Sequence, residues 1–185
     1  MTALSSTLDK LMDVAESNVR GRGYHAVSFR DLADELGIKS SSVHHYFPRK
    51  EDLAVAVLQR YSDQFFEELD KETGNSTDPS VLLAAHTKVY RQSLLTTRKF
   101  CLCGMVAAES GGIPDSVSET AAEFFTKNIA WVQSALPTSM SPAERLRKGQ
   151  HLVASMQGAM MLATNQQDFK LFDNIVRDII ESFDL

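Results

Sequence analysis

The chain is 185 residues long, 43% hydrophobic and 23% charged, with a formal net charge of -5 at pH 7, enough for one or two ordinary globular cores. No run of about 18 apolar residues suggests a membrane span, and the opening MTALSSTLDKLMD has neither the basic start nor the apolar run of a secretory signal. Its two cysteines, Cys101 and Cys103, are too few and too close for a disulfide framework, so a reduced, cytoplasmic setting without membrane association is expected.

The predicted elements are helical from end to end, with no convincing period-2 strand. Helix 1 is expected over about residues 6–22, with Leu8, Leu11, Met12, Ala15 and Val19 inward. Ser28 can accept from the free N–H groups of the helix it starts. Phe29, Leu32, Ala33 and Leu36 then stand at i, i+3, i+4 and i+7, one face of a second helix. Gly37 can take the left-handed conformation that ends it, and Ile38 plugs the corner. A third helix over residues 40–46 is anchored by Val43 and by Phe47 just past its end, which leaves Ser41, Ser42, His44 and His45 outward. Pro48 stops it. Two short helices about a glycine turn make a helix-turn-helix, whose second helix is shaped for the DNA major groove.

Helix 4, over about residues 50–71, opens with Glu51 and Asp52, where the helix dipole favours acids. It carries Leu53, Val57, Tyr61, Phe65 and Leu69 as one ridge. Residues 72–80 read as a loop, and Asp78-Pro79 starts helix 5, which ends near Thr97. A short helix 6 over residues 101–110 precedes Gly111-Gly112. Pro114 opens helix 7, with Val117, Ala121, Phe124, Phe125, Val132 and Leu136 on its apolar side. Ser141-Pro142-Ala143-Glu144 is a capping box that opens helix 8. Helix 9 covers about residues 168–183, with Phe172, Ile175, Val176, Ile179 and Phe183 inward.

The acidic total is unevenly spread. Between residues 20 and 50 the basic residues Arg20, Arg22, Arg30, Lys39, Arg49 and Lys50 outnumber Asp31, Asp34 and Glu35. A local basic surface is what contact with phosphates requires.

Gly23-Tyr24, Ser28, the run Val43-His44-His45-Tyr46-Phe47 and Lys50 together resemble the DNA-binding domain of the TetR/AcrR family of transcriptional regulators. The likeness covers about residues 5–60. It departs from the family pattern at Lys39, often Ser or Thr, at His44, often Tyr, and at Ser41, usually Gly or another small residue. These positions lie in the reading helix and bear on the operator sequence. The resemblance implies an all-α chain of about nine helices. A three-helix DNA-binding domain would occupy residues 1–49, and a helical effector-binding and dimerisation domain residues 50–185. The implied partners are a near-palindromic double-stranded operator and a small-molecule effector, and the implied activity is repression relieved by that effector. Helix 8 carries the small residues Gly149, Ala154, Ser155, Gly158, Ala159 and Ala163, so a homodimer through helices 8 and 9 is expected.

Within the helix-turn-helix, Lys39, Tyr46 and Lys50 suit phosphate contacts, while Ser40, Ser42, His44 and His45 are candidates for base edges. Ser28 joins them as a DNA-contacting residue. The effector pocket is expected among Phe66, His86, Tyr90, Cys101, Met105, Phe125, Trp131, Met156 and Met160, adaptable aromatic and thioether groups that would equally serve as plain core. Cys101 is either a small buried hydrophobe or a thiol sensor, its thiolate favoured by the helix 6 N-terminus and by Arg98 and Lys99. No metal, cofactor or catalytic residue is expected. His44 and His45 point about 100° apart on a helix, the cysteines lack ligand partners at zinc spacing, and no catalytic triad, carboxylate pair or phosphate loop is visible. Two other readings stay open: a helical enzyme using Cys101 as nucleophile, and an interaction module that keeps the fold without binding DNA.

Overall fold

The ends of the elements follow capping chemistry. In the computed structural model, which describes residues 6–183, α1 (Thr7–Arg22) starts at Ser6. The Ser6 hydroxyl accepts from the Asp9 N–H at 3.1 Å, and the Asp9 carboxylate accepts from the Ser6 N–H at 3.0 Å, a reciprocal box that satisfies free helix donors. α2 (Phe29–Leu36) runs between the Ser28 cap and Gly37, which is left-handed at φ 65°, as the sequence predicts. α3 (Ser40–Tyr46) and α4 (Lys50–Thr73) follow. α5 (Pro79–Thr97) starts at Asp78, and α6 is the short helix Leu102–Ala108. The expected helix 6 is thus shorter, and Ser110–Gly112 forms a separate 3-10 turn. α7 (Asp115–Ala135), α8 (Pro142–Gln166, capped by Ser141) and α9 (Phe169–Glu181) complete the described residues, an all-α chain as expected. No helix among them is long and apolar enough to cross a membrane.

The chain packs as two compact units. The first holds the described residues up to Tyr61 together with Leu102–Ala122; the second holds Ser62–Cys101 and the described residues from Glu123 onward. This division cuts α4 within its length, whereas the functional boundary expected from the sequence lies at its start. In the first unit Leu11, Leu32, Val43, Val57 and Val106 are each 2% exposed or less, and burying each such side chain contributes about 1.5–3 kcal/mol. Asn18 joins α1 to α2 by donating to Glu35 Oε2 at 2.9 Å. Arg60 of α4 reaches Asp13 of α1 at 2.9 Å. Leu8, Met12, Phe29, Leu36 and Phe47, all expected to point inward, are half-buried.

In the second unit Leu83, Tyr90, Phe124, Leu136, Met156 and Phe172 are at most 2% exposed. Arg91 of α5 grips Asp173 of α9 through Nε at 2.6 Å and Nη2 at 3.0 Å, a two-point charge-assisted contact. A Cβ on Gly149 would lie 3.1 Å from the Ile129 carbonyl oxygen, so this glycine lets α8 lie close against α7.

Candidate functional site

The helix-turn-helix presents many polar groups around a small apolar anchor. Val43 is wholly buried and is the anchor of α3. Around it Lys39, Ser41, His44, His45 and Tyr46 are exposed, while Ser40 and Ser42 are half-buried. The His44 ring meets the Phe29 ring of α2 edge-on, with centroids 4.9 Å apart, so an exposed side chain still has a set direction. Ser28 has another duty: its hydroxyl accepts from the Asp31 N–H at 3.2 Å and donates to Asp31 Oδ2 at 2.7 Å. That commits it to the cap of α2.

The basic surface is thinner than the residue count suggests. Arg20 is 4% exposed, pairs with Glu16 at 3.2 Å and lies over the Tyr61 ring, so it belongs to the core of its unit. Arg49 is held by Glu51 and by Asp52, the latter at 2.8 Å. The hydrogen bond from Arg49 keeps the Asp52 carboxyl below its usual range. Arg30 and Lys39 stay exposed. Lys50 is half-buried, its ammonium 4.1 Å from the centre of the Tyr24 ring, a cation–π contact. Burial lowers its pKa below the ordinary lysine value, while the Glu109 carboxylate acts in the opposite sense.

Glu109 is a residue that sequence reasoning missed. It follows α6, and its Oε2 accepts from the Tyr24 N–H at 2.8 Å. Gly23 beside it has φ 85°, and a Cβ there would fall 2.0 Å from Glu109 Oε1. The Gly23-Tyr24 pair therefore serves two purposes. Glycine takes a left-sided conformation that other residues resist, and its missing side chain leaves room for the carboxylate. Nothing in local periodicity could reveal a bond across 85 residues of chain.

Of the nine expected effector-site residues, Met105 belongs to the first unit and the other eight to the second. His86, Tyr90, Cys101, Met156 and Met160 are buried, whereas Phe66, Phe125 and Trp131 are half-buried. An aromatic cluster draws several together. The Phe65 ring contacts Tyr90 at 4.9 Å and Phe124 at 5.3 Å, and His86 stacks on Trp131 at 5.5 Å with the planes 14° apart. His86 Nε2 meets Asn128 Oδ1 at 2.6 Å, both side chains being wholly enclosed. Burial pushes the His86 pKa down to about 4, so the ring is neutral at pH 7. A small apolar cavity of about 20 Å³ lies in the first unit beside Lys50 and Tyr24. An open cleft of about 450 Å³ runs along Ser76, Leu82 and Leu136 in the second. Neither is lined by the expected effector residues.

Cys101 precedes α6 and is 0% exposed, as is Cys103. Arg98, expected to act on the Cys101 thiol, lies over the Phe169 ring at 5.6 Å. Access alone does not separate the two sulfurs. Reaction at either needs local opening of the chain.

A short helix pair with an outward polar reading face, carried on an otherwise helical chain, defines a helix-turn-helix DNA-binding regulator. Residues 11–57 match the family described as bacterial regulatory proteins, tetR family. Residues 79–178, more than half of the chain, match the C-terminal domain described as transcriptional regulator LmrA/YxaF-like. The chain belongs to the TetR family of transcriptional regulators. It is 22% identical over 173 residues to the HTH-type transcriptional regulator YxaF of Bacillus subtilis, covering 91% of this chain and 90% of that protein. A likeness to the HTH-type transcriptional repressor KstR2 of Mycolicibacterium smegmatis is stronger but local: 33% identity over 75 residues, 40% of this chain and 37% of KstR2. Among solved structures, a TetR transcriptional regulator of Legionella pneumophila superposes with a TM-score of 0.89 at 28% identity, over 98% of this chain and 99% of that one. Regulators of this family bind DNA operators and small-molecule effectors, generally as dimers.

Proposed function

We propose that this regulator is a repressor that binds a near-palindromic operator as a homodimer through α8 and α9 and is released by a small-molecule effector. The observation that carries the reading is the α3 face: a helix whose one buried residue is Val43, with Ser41, His44, His45 and Tyr46 left exposed. Residues 1–49 form the DNA-binding domain in this reading, and residues 50–185 the effector-binding and dimerisation domain. Lys39, Tyr46 and Lys50 take phosphates, Ser40, Ser42, His44 and His45 read bases, and Ser28 contributes by starting α2. The effector acts by linkage, binding a DNA-incompetent arrangement more tightly than the competent one. The family match favours neither an enzyme using Cys101 nor an interaction module without DNA binding.

Fluorescence anisotropy across salt concentration tests the assignment. Tyr46→Ala and Lys50→Ala each weaken binding to every sequence, and Lys50→Ala, which removes a charge, also lowers the salt slope by about one unit. Ser42→Ala and His44→Ala change sequence preference instead. Unchanged affinity in both phosphate variants, with an unchanged slope in Lys50→Ala, would remove the α3 assignment.

The thiol-sensor role of Cys101 is a further part of the proposal and has its own check. As a sensor, Cys101 labels with iodoacetamide faster than Cys103 in folded protein, and the adduct releases DNA. Equal and slow labelling of both sulfurs, read by mass spectrometry, assigns them to packing.

A further inference from the structure

The core of the second unit contains a hydrogen-bonding pair that is not satisfied. His86 on α5 and Asn128 on α7 are both 0% exposed and bonded to each other at 2.6 Å. His86 Nδ1 and Asn128 Nδ2 are buried and have no partner. A neutral imidazole has one donor and one acceptor, and a carboxamide has both. The bond between them uses one of each. If His86 Nε2–H donates to Oδ1, then Nδ1 remains as an acceptor and the amide N–H as a donor. With the opposite tautomer and the amide turned over, Nδ1–H remains as the donor and the amide oxygen as the acceptor. Both assignments leave one donor and one acceptor, one on each residue.

Buried polar groups in native cores are nearly always paired, so an exception of this kind points to a missing partner. Nearby on α8, Gln157 Nε2 donates to the Tyr90 hydroxyl at 3.3 Å while Gln157 Oε1 is buried without a partner. The surroundings are aromatic: Phe65 lies 6.1 Å from the His86 ring, Tyr90 5.2 Å, and the half-buried Trp131 stacks on it at 5.5 Å. Among the described residues, burial and the Asn128 hydrogen bond account for the lowered His86 pKa, with no charge contributing to it. A charged ligand would lose its hydration here without gaining a counter-charge.

We propose that His86 and Asn128 are the polar anchor of the effector site, and that the effector is an uncharged, largely apolar molecule that offers both a hydrogen-bond donor and an acceptor, as a carboxamide or lactam does. This rests on the reading of the chain as an effector-responsive regulator and names the chemistry its effector must have. Trp131, stacked on His86, is the ring such a molecule displaces or stacks upon.

Trp131 is the chain's single tryptophan, so its fluorescence reports on this place alone. The full-length protein is titrated with benzamide, with benzoate as the charged counterpart and with ethylbenzene as the apolar one. Benzamide is expected to change Trp131 emission saturably, and benzoate is not. Ethylbenzene, which lacks the polar pair, should bind about tenfold more weakly than benzamide, as should benzamide to Asn128→Leu. The double variant His86→Phe/Asn128→Leu guards against misfolding. Replacing both polar groups by apolar ones should hold or raise Tm while removing the benzamide response. A benzamide response equal to that of benzoate, or unaltered in Asn128→Leu, overturns the proposal. No saturable response in the wild-type protein would assign the spare donor and acceptor to an enclosed water and overturn it too. Failure of the regulator reading looks different: the wild-type protein then shows no salt-dependent DNA binding at all, whatever benzamide does.

Discussion

Gly158→Arg should turn the protein into a monomer and abolish operator binding. Gly158 lies on α8, and a Cβ there would meet nothing within 4 Å, so the position faces away from its own subunit. Near it on the same helix, Met161 is 53% exposed and Leu162 40%, and Ala154 is exposed as well. An isolated subunit gains nothing from leaving these groups in water, whereas a second copy seated on α8, as proposed, would cover them and contribute about 25 cal/mol per Å² of apolar surface buried. A twofold interface repeats each substitution, so two guanidinium groups would have to be buried without partners. Even a few kcal/mol is decisive, since each 1.4 kcal/mol weakens association about tenfold. Ile179→Asp on α9 should act in the same direction. Analytical ultracentrifugation with parallel DNA-binding measurements checks both, and a stable, DNA-competent dimer from the two variants would remove this interface.

Gly23→Ala should destabilise the fold of the first unit and weaken DNA binding with it. Alanine at φ 85° is strained, by about 1–3 kcal/mol for conformations of this kind. Its Cβ would also fall 2.0 Å from Glu109 Oε1. The carboxylate could swing away, yet only by giving up the Tyr24 N–H it accepts at 2.8 Å. A chain of this length loses about 2–4 °C of Tm per kcal/mol, so a fall of several degrees is expected in a thermal melt. Glu109→Ala makes room for the methyl group but removes the hydrogen bond. In the double variant the steric part should therefore vanish and the backbone strain persist, a coupling that a double-mutant cycle measures. A Gly23→Ala protein melting with the wild type would contradict the geometry.

Local chemistry carried much of the fold into the sequence. Ser28 and Gly37 bound α2, and Asp78-Pro79 and Ser141-Pro142 start α5 and α8. Each depends on groups within four residues of one another, so each is readable without coordinates. The ridge Leu53, Val57, Tyr61, Phe65 and Leu69 is buried throughout, because a four-residue step keeps to one helix face. Of the set that the same periodicity turns outward on α3, Ser41, His44 and His45 are exposed and Ser42 is half-buried, with Val43 as the one buried position.

What needed the tertiary structure was the choice among residues of like chemistry. Arg20 and Lys39 look alike in a count of positive charges, yet one is buried beside Glu16 and the other is exposed. Gly149, Ala159 and Ala163 resemble Gly158 as small residues on α8, but Gly149 abuts the α7 backbone and both alanines are at most 1% exposed. The expected small-residue stripe therefore divides between the subunit's own core and its outer face. His86 stands among the pocket candidates that the sequence offers, whereas its partner Asn128, 42 residues away, does not. Glu109 and the Tyr24 N–H are joined across 85 residues. The sequence determined the helices, their ends and their apolar faces, since these arise from interactions within a few turns. Only the tertiary structure decided which charges stay free, which small residues face outward and which polar groups meet, because those outcomes depend on what another helix brings to the same point in space.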